Sequence, residues 1–496
     1  MNQDSNAILT LDQGTTSSRA VLLGSDGAVL GISQREFEQV FPADGWVEHR
    51  PLDIWNSVVF VGREMVRRAE ELGRKLSAIA IANQRETTLV WDRRSGEVVW
   101  NAIVWQDRRT ADQCKELRDK GYEKIIQETS GLLLDPYFSA SKIAWILDHV
   151  QGARRRAENG DLCFGTVDSF LIWRMTGGRH HVTDATNASR TNLYNIKNGI
   201  WDENLCQIFG IPMSMLPEVR DCASHFGDCE AEVFGKSLPI CGVAGDQQAA
   251  AIGQACFEVG DVKSTYGTGC FMLVNTGKNI LSSKNNLLST IAYQIDGQRT
   301  YGIEGSIFVS GAIVQWLRDG MALFSSASQT EALATKISSN EGVYMVPALT
   351  GLGAPHWAAD ARGAIYGITR DTRPEHLVRA ALESVAYQSH DLLEAMRADG
   401  IEPKELKVDG GMTVNNWLMQ FIADVLNLPI ERPAFTETTA IGAAVLAMLG
   451  SQQIGHFRDS EKFWQREKIF TPAMPKENRD RLLAGWRLSI KRTLVN

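Results

Sequence analysis

The chain has 496 residues, a length that favours two large domains over a single core. Hydrophobic residues make up 44% and charged residues 22%, which is typical of a folded globular protein rather than a disordered one. The formal net charge of −8 argues against nucleic-acid binding, which normally uses a basic surface. An anionic ligand would therefore have to be held locally, by backbone amides and a few basic side chains.

The eight cysteines are scattered and contain no Cys-x-x-Cys pair. We expect reduced, buried thiols rather than a zinc site or a disulfide framework. The first residues lack the basic and apolar segments of a secretion signal, and no apolar run reaches the length of a membrane-spanning helix. These features predict a cytoplasmic protein without a membrane span.

The first half opens with strands and a long helix. Residues 7–11, 20–23 and 28–32 are predicted strands, and Asp26-Gly27 is a hairpin turn signal. A helical pattern follows over residues 52–71. Strands that alternate with helices predict an α/β domain.

The turn after the first strand has the composition of a phosphate-binding loop. It reads DQGTTSSR over residues 12–19, and Gly14 lets successive amides and hydroxyls converge on phosphate oxygens. Asp12, at the strand end, is a candidate Mg²⁺ ligand through water, because Mg²⁺ gives up its waters reluctantly. The alternative is an ordinary hairpin, which an acid at one end and Arg19 at the other make less favourable.

Asp246 follows Gly245 and a predicted strand at residues 240–244. A carboxylate there can approach a substrate hydroxyl, and phosphoryl transfer needs a group that orients the nucleophile and accepts its proton. The alternative is a cap for a helix over residues 247–254. From the local sequence alone the cap is the better interpretation.

The second half repeats this order of elements. Predicted strands flank Gly267-Thr268-Gly269, and a hairpin and helices follow: strands at 262–266, 270–274, 290–295 and 299–303, helices at 309–319, 374–397, 416–426 and 438–449. We therefore predict a duplicated α/β unit with a boundary near residues 254–260, and domains 1–255 and 256–496. Two facing Gly-Thr turns could clamp a polyphosphate between them.

A further strand, at Val408-Asp409, ends in Gly410-Gly411. Two glycines there would let a flat ring lie against the backbone at the start of a helix, which favours an adenosine pocket. The alternative is a tight strand-to-helix turn.

Other nucleotide-binding classes are excluded by their motifs. The GKS at residues 235–237 has Glu230 where a P-loop needs its leading glycine, and the GLG at 351–353 does not continue as a dinucleotide fingerprint. The His-Arg-Asp and Asp-Phe-Gly elements of protein kinases are absent.

These motifs, in this order, resemble the FGGY family of carbohydrate kinases, within the actin–hexokinase–Hsp70 superfold. Two family patterns are nearly intact: YFSASKIAWI at residues 137–146, and GAIYGI at 363–368 continued by HL at 376–377 and AALE at 380–383. The resemblance runs from residue 8 to about residue 450. It implies two duplicated ribonuclease-H-like (actin-like ATPase) domains, mixed sheets flanked by helices, an interdomain cleft, and ATP and Mg²⁺ as cofactors.

Within that family the polar residues are similar to those of enzymes that phosphorylate glycerol. The NQRETT at residues 83–88 contains an adjacent Arg–Glu pair, whose donors and acceptors can satisfy both sides of a vicinal diol. The alternative is a surface ion pair. The resemblance implies that Asp246 is the general base and that glycerol contacts Arg85, Glu86, Tyr137, Asp246 and Gln247, with Trp105 and Phe271 as apolar walls.

The resemblance also implies the nucleotide and metal contacts. Asp12 is the candidate metal ligand. The residues that match family contacts to phosphates and adenosine are Thr15, Thr16, Ser17, Arg19, Thr268, Gly311, Gln315, Gly411 and Asn415.

One segment departs from the family pattern. Some bacterial relatives carry a glycine-rich, arginine-containing loop that binds fructose 1,6-bisphosphate between the positions of Phe226 and Pro239, and others a histidine that a phosphocarrier protein phosphorylates. Neither pattern is intact here, and His225 is expected to be structural. Homodimer and homotetramer both remain open.

Two alternative functions are considered, one within the same family and one from a different class of protein. A kinase of a pentulose, hexonate or other small polyol is disfavoured by the Arg–Glu pair and by DQQ at residues 246–248. An actin-like filament protein or chaperone ATPase would need no base for an organic hydroxyl, so Asp246 argues against it.

Overall fold

The computed structural model describes residues 6–495 and contains one large mixed β-sheet in each half of the chain. The first sheet is built from buried apolar strands that alternate with more polar edge strands. Its six strands are β1 (Asn6–Gln13), β2 (Ser17–Gly24), β3 (Val29–Glu36), β4 (Lys75–Asn83), β5 (Ala223–Cys229) and β6 (Leu238–Gly245), in the spatial order β5-β6-β4-β1-β2-β3.

The second sheet has seven strands in the order β9-β10-β8-β7-β11-β12-β13. They are β7 (Val262–Tyr266), β8 (Cys270–Gly277), β9 (Leu288–Ile295), β10 (Gln298–Ile307), β11 (Leu406–Asp409), β12 (Ile430–Pro433) and β13 (Arg466–Phe470).

The two sheets repeat one topology, which confirms the predicted duplication. In each, three strands pair antiparallel from the sheet edge inward (β3-β2-β1 and β10-β8-β7). Two parallel strands then follow (β4 and β6; β11 and β12), and an antiparallel strand closes the edge. The second sheet adds β9 outside β10.

Helices flank both sheets and account for most of the remaining regular secondary structure. They are α1 (Pro51–Glu71), α2 (Ala111–Asp119), α3 (Glu123–Ser130), α4 (Ser139–His149), α5 (Ala153–Glu158), α6 (Val167–Met175), α7 (Ala185–Ala188), α8 (Glu203–Phe209), α9 (Ala231–Phe234), α10 (Asp246–Gly253), α11 (Gly311–Asp319), α12 (Gln329–Thr335), α13 (Pro374–Ala398), α14 (Asn416–Leu426), α15 (Thr438–Gly450) and α16 (Lys476–Leu494). Short strands lie at Glu48–His49, Leu89–Asp92, Ala102–Ile103, Leu162–Gly165, Val182–Asp184, Tyr194–Asn195, Ile200–Trp201, Glu218–Arg220, Tyr344–Val346 and Ala364–Tyr366, and 3₁₀ turns at Met213–Met215, Gly411–Val414 and Phe457–Phe463.

The predicted elements are confirmed, with small shifts at their ends. Helix α14 begins and ends where it was predicted, whereas α11 begins at Gly311 rather than at residue 309. The later start has a tertiary cause, because the amides of Ser310 and Gly311 donate to the carbonyls of Thr268 and Gly267. The second Gly-Thr turn therefore fixes where this helix starts.

Helices α10 and α15 pack closely and join the two halves. A Cβ at Gly253 would collide with the carbonyl oxygen of Thr438, and a Cβ at Gly442 with that of Ala249. Helix α15 also buries Ile441 and its apolar neighbours against the first sheet. An element from late in the chain is thus part of the core around the first sheet.

All eight cysteines are buried free thiols, as predicted. Within residues 6–495, no helix is long and apolar enough to cross a membrane.

Candidate active site

A cavity of about 150 Å³ lies between the two halves, where the carboxyl ends of β1, β4, β6 and β7 meet. Every residue that was predicted to contact the polyol lines it. The lining residues are Thr15, Thr16, Arg85, Glu86, Trp105, Tyr137, Asp246, Gln247, Thr265, Gly267, Thr268, Gly269 and Phe271.

Arg85 and Glu86 line this cavity just beyond the end of β4, from which Gln84 separates them. Their exposed fractions are 3% and 1%, so the alternative of a surface ion pair is wrong. Glu86 has a φ of 59°, a left-handed conformation that a non-glycine residue adopts at a cost and that is frequent at functional sites. The lack of a side chain at Gly245 makes room for the Arg85 side chain, since a Cβ there would lie 2.7 Å from Cδ of Arg85.

Two further charged residues complete a buried network that sequence analysis missed. Nη1 of Arg85 donates to Oε2 of Glu304 at 2.5 Å, and Nη2 donates to Oε1 at 3.1 Å. Arg190 donates from Nε to Glu86 at 2.6 Å and from Nη2 to Glu304 at 2.8 Å. Nothing local in the sequence marks Arg190 or Glu304, because each is far along the chain from the residues that it contacts.

Opposite charges decide the protonation of this network. Burial by itself would raise the pKa of Glu304, but the guanidinium groups of Arg190 and Arg85 outweigh burial and lower the pKa to about 2. Burial raises the pKa of Glu86, and Arg85 and Arg190 oppose that rise. The ionised Glu304 therefore balances two buried arginines.

Asp246 is the first residue of α10, and Gly245 occupies the capping position. The cap interpretation is therefore wrong. Within residues 6–495 the Asp246 carboxylate accepts a hydrogen bond from one backbone amide, that of the adjacent Gln247, at 2.7 Å. Its Oδ1 lies 3.3 Å from Nε of Arg85, and its side chain is 27% exposed in the cavity. Burial raises its pKa, while Arg85 and Lys263 hold it back.

Lys263, on β7, is a second residue that sequence analysis missed. Its ammonium group is fully buried and donates to Oε1 of Gln247 and, at 2.9 Å, to Oγ1 of Thr265. Burial lowers the pKa of Lys263. This bond identifies Oε1 of Gln247 as an acceptor, so its NH₂ group is the part of the side chain that can donate to a ligand.

Aromatic rings form the apolar wall. The ring of Trp105 lies 5.8 Å from that of Tyr137 and 5.6 Å from that of Phe271, both edge-on. Phe308, which was not predicted, packs on Tyr137 at 5.7 Å. Trp105 also donates from Nε1 to Oγ1 of Thr15 at 3.0 Å, so the wall is bonded to the first Gly-Thr turn.

A larger cavity of about 520 Å³ lies in the second half and shares Gly267 and Thr268 with the first. Its lining is mostly apolar around a few polar groups, which suits a flat ring with polar edges. It is lined by Gly267, Thr268, Gly311, Val314, Gln315, Arg318, Ala327, Ser328, Thr330, Glu331, Leu382, Gly411, Met412, Val414, Asn415 and Leu418. The predicted contacts Thr268, Gly311, Gln315, Gly411 and Asn415 are all among them.

Gly410, Gly411 and Asn415 have different structural roles beside this cavity. Gly410 adopts a φ of 92°, and a Cβ there would lie 2.5 Å from the carbonyl oxygen of Tyr266, so it makes the tight turn. A Cβ at Gly411 would meet nothing within 4 Å. Asn415 caps α14 by accepting the amide of Leu418 at 2.9 Å while it lines the cavity.

Ser17 and Arg19 lie outside both cavities, on β2. Ser17 accepts a hydrogen bond from Gln34 at 2.9 Å, and Arg19 pairs with Glu437 from the second half. The structure thus brings Thr15 and Thr16 to the cavity but leaves these two at its border.

Asp12, near the end of β1, interacts electrostatically with Asp246 and is the predicted carboxylate ligand of a cation. Burial raises the pKa of Asp12 to about 6, Arg19 lowers it and the Asp246 carboxylate raises it further. Within residues 6–495 no three His, Cys, Asp or Glu side chains cluster closely enough to form a full metal cage. One or two carboxylates, with water and phosphate oxygens, are the usual ligands of Mg²⁺, so the donor set fits this ion.

The fold and the two adjoining cavities define a two-domain enzyme of the actin-like ATPase class, and comparisons with known proteins agree. The FGGY family of carbohydrate kinases matches through its N-terminal domain over residues 7–253 and its C-terminal domain over residues 262–451. The chain belongs to this family.

The similar proteins include relatives named glycerol kinases and solved structures of the same fold. Glycerol kinase of Rhodospirillum centenum is 57% identical, with 98% of each chain covered, and glycerol kinase 1 of Pseudomonas aeruginosa is 55% identical, with 98% of this chain and 99% of the relative covered. The crystal structure of Plasmodium falciparum glycerol kinase with ADP superposes with a TM-score of 0.89, 36% identity and 99% coverage of each chain. Gluconate kinase from Lactobacillus acidophilus shares the fold at a TM-score of 0.86 and 20% identity.

Proposed function

We propose that the chain transfers the γ-phosphoryl group of ATP to glycerol and forms sn-glycerol 3-phosphate. The observation that carries the proposal is the buried Arg85–Glu86 pair beside Asp246 in a cavity of about 150 Å³. The relatives that are named glycerol kinases, similar over nearly the whole chain, support it.

Recognition of the substrate follows from donor and acceptor types. Arg85 offers only donors and Glu86 only acceptors, so together they orient two neighbouring hydroxyl groups. The amide of Gln247 adds a donor, while Trp105 and Phe271 cover the carbon chain. A longer sugar would have to displace these aromatic rings.

Asp246 acts on the third hydroxyl. Its carboxylate accepts the proton as the hydroxyl oxygen forms a bond to the γ-phosphorus, and the bond from that phosphorus to the bridging oxygen breaks so that ADP leaves. The raised pKa of Asp246, caused by burial, brings its basicity closer to neutral pH than that of an exposed aspartate.

The two Gly-Thr turns supply the phosphate contacts. Thr15 and Thr16 face the small cavity from the first half, and Thr268 lies where both cavities join. Asp12 would hold Mg²⁺ through water, and the ion would neutralise phosphate charge when bound. Gly311, Gln315, Gly411 and Asn415 would surround the adenosine, with Ser17 and Arg19 at the border of the phosphate site.

The division into domains 1–255 and 256–496 and a cytoplasmic location are part of the same proposal. The repeated sheets and the two matched family segments support the division, although α15 packs on the first sheet. Eight buried free thiols suit a reducing compartment.

Coupled ADP release with glycerol, xylulose, gluconate and no acceptor tests the function. We expect turnover to depend on glycerol and to require Mg²⁺. Preference for xylulose or gluconate would instead favour another FGGY kinase, and acceptor-independent ATP hydrolysis at the same rate would favour an actin-like or chaperone ATPase.

A further inference from the structure

The polyol end of the cavity is built by both halves of the chain. Arg85, Glu86 and Arg190 come from the first half, and Glu304 lies on β10 in the second sheet. All four side chains are at least 97% buried. Glu304 contacts both arginines, so it joins β10 to the residues that would hold the diol.

Each hydrogen bond within this network uses a donor of Arg85 or an acceptor of Glu86 that could otherwise bind a ligand. The guanidinium of Arg85 has two hydrogens on each Nη and one on Nε. Glu304 and Gln248 occupy both hydrogens of Nη1 and one of Nη2. What remains is the guanidinium edge with Nε, which faces Asp246 at 3.3 Å.

Arg190 acts on Glu86 in the same way. Its Nε donates to Oε1 of Glu86, so Oε2 is the carboxylate oxygen that keeps both lone pairs for a hydroxyl group. The network therefore leaves one donor edge beside one acceptor oxygen, in the arrangement that a vicinal diol requires.

Loss of one carboxylate would disturb this arrangement because buried charges must be paired. Without the charge of Glu304, Arg85 and Arg190 would have Glu86 as their shared carboxylate within the network. Both oxygens of Glu86 would then be drawn to arginines, and the acceptor for the diol would be lost.

We propose that Glu304 and Arg190 are positioning residues for the polyol. They hold Arg85 and Glu86 in the orientation that recognises a diol, and this orientation exists only while β10 is docked on the first half. The assignment rests on the proposed glycerol kinase function.

The test is steady-state kinetics of Glu304→Gln in the full chain. The substitution keeps the shape and removes the charge, and we expect KM for glycerol to rise about 10-fold or more while KM for ATP changes less than about 3-fold. Glu383→Gln is the matched control, since Glu383 is also buried, lies in the second half and pairs with an arginine, Arg379, at 2.8 Å. It should lower Tm without changing KM for glycerol.

A second variant protects the test against misfolding of the first. Arg190→Lys keeps a positive charge but cannot donate to two carboxylates in fork geometry, so it should show the same selective rise in KM for glycerol. An unchanged KM for glycerol in both variants, or equal rises for glycerol and ATP, would overturn the assignment. No glycerol-dependent ADP release by the unaltered chain would overturn the proposed function, and this assignment with it.

Discussion

The two halves share one sheet topology but differ in what stands at the ends of their strands. In the first half, Asp12 is the penultimate residue of β1, Arg85 lies two residues after β4, and Asp246 directly follows β6. In the second half, the corresponding β7 and β11 lead into glycine turns at Gly267 and Gly410. Duplication therefore repeated the scaffold, while the first half carries charged side chains at more of its strand ends than the second. We call the two the charged half and the glycine-lined half.

The two halves are therefore suited to two different kinds of ligand contact. Charged side chains at strand ends can orient and deprotonate a small polar molecule, whereas glycines leave room for a large ligand to approach the backbone. The site is complete only where the halves meet, because Glu304 of the second half balances the arginines of the first.

The strongest test of the comparison is Asp246→Asn. We expect kcat to fall by roughly 10²–10⁴ with glycerol and ATP binding retained, since the proton acceptor is lost. Asp409→Asn, at the end of β11, is the matched variant. Asp409 accepts bonds from Thr438 and Gln254, so its loss should lower stability and change kcat by less than about 10-fold. Near-normal turnover of Asp246→Asn would remove the chemical distinction between the halves.

Arg85→Ala tests substrate recognition in the charged half. The loss of hydrogen bonds to a charged group should weaken glycerol binding by about 1.5–3 kcal/mol, with ATP affinity almost unchanged. Tm should also fall, because Glu304 then loses one of its two arginine partners and keeps Arg190 and Ser306. Calorimetry with each ligand separately would decide, and equal losses for both ligands would indicate a folding defect instead.

Gly411→Ala and Gly410→Ala sharpen the comparison in the glycine-lined half. A methyl group at Gly411 enters open space, so Tm should be unchanged while KM for ATP rises several-fold, in line with about 1 kcal/mol of overpacking. A methyl group at Gly410 meets the Tyr266 carbonyl at a positive φ and should lower stability by about 1 kcal/mol or more. Denaturation curves and ATP titrations distinguish the two, and a lowered Tm in Gly411→Ala would contradict this assignment.

Stability against pH tests the buried acid of the first turn. The folded pKa of Asp12, about 6, exceeds its ordinary value of 3.8. Between these values the folded state binds more protons than the unfolded state, so this group lowers stability as pH rises from about 4 to 6. Asp12→Asn should flatten that part of the Tm–pH curve without Mg²⁺ and nucleotide. Identical curves for both proteins would show that Asp12 does not titrate in this range.

The smallest expected effect is that of fructose 1,6-bisphosphate, which should not inhibit at physiological concentration. Between residues 227 and 238 the one basic residue is Lys236, and it is already paired with Glu70 at 2.9 Å. The nearby acids repel a bisphosphate. Saturable inhibition at submillimolar effector, at fixed ATP and glycerol, would contradict this prediction.

Sequence patterns predicted most of the secondary structure, since strands, hairpin turns and helices depend on neighbours a few residues apart. The hairpins around residues 12–17 and 267–269 and the full extent of α14 were all evident from local periodicity and turn residues. The residues proposed to contact the polyol, which line the smaller cavity, were predicted from their resemblance to a family. The start of α11 was not, because a turn more than 40 residues earlier fixes it through backbone hydrogen bonds.

The sequence by itself determined the duplicated α/β scaffold, the exclusion of other nucleotide-binding classes and the choice of Arg85, Glu86 and Asp246. Only the tertiary structure decided that the Arg–Glu pair is buried, that Gly245 rather than Asp246 caps α10, and that Arg190, Lys263 and Glu304 belong to the site. The physical reason is that burial and charge pairing depend on which strands meet. A lone Glu304 in the sequence is an ordinary surface candidate, and it becomes an ionised, fully buried partner because folding places two arginines against it.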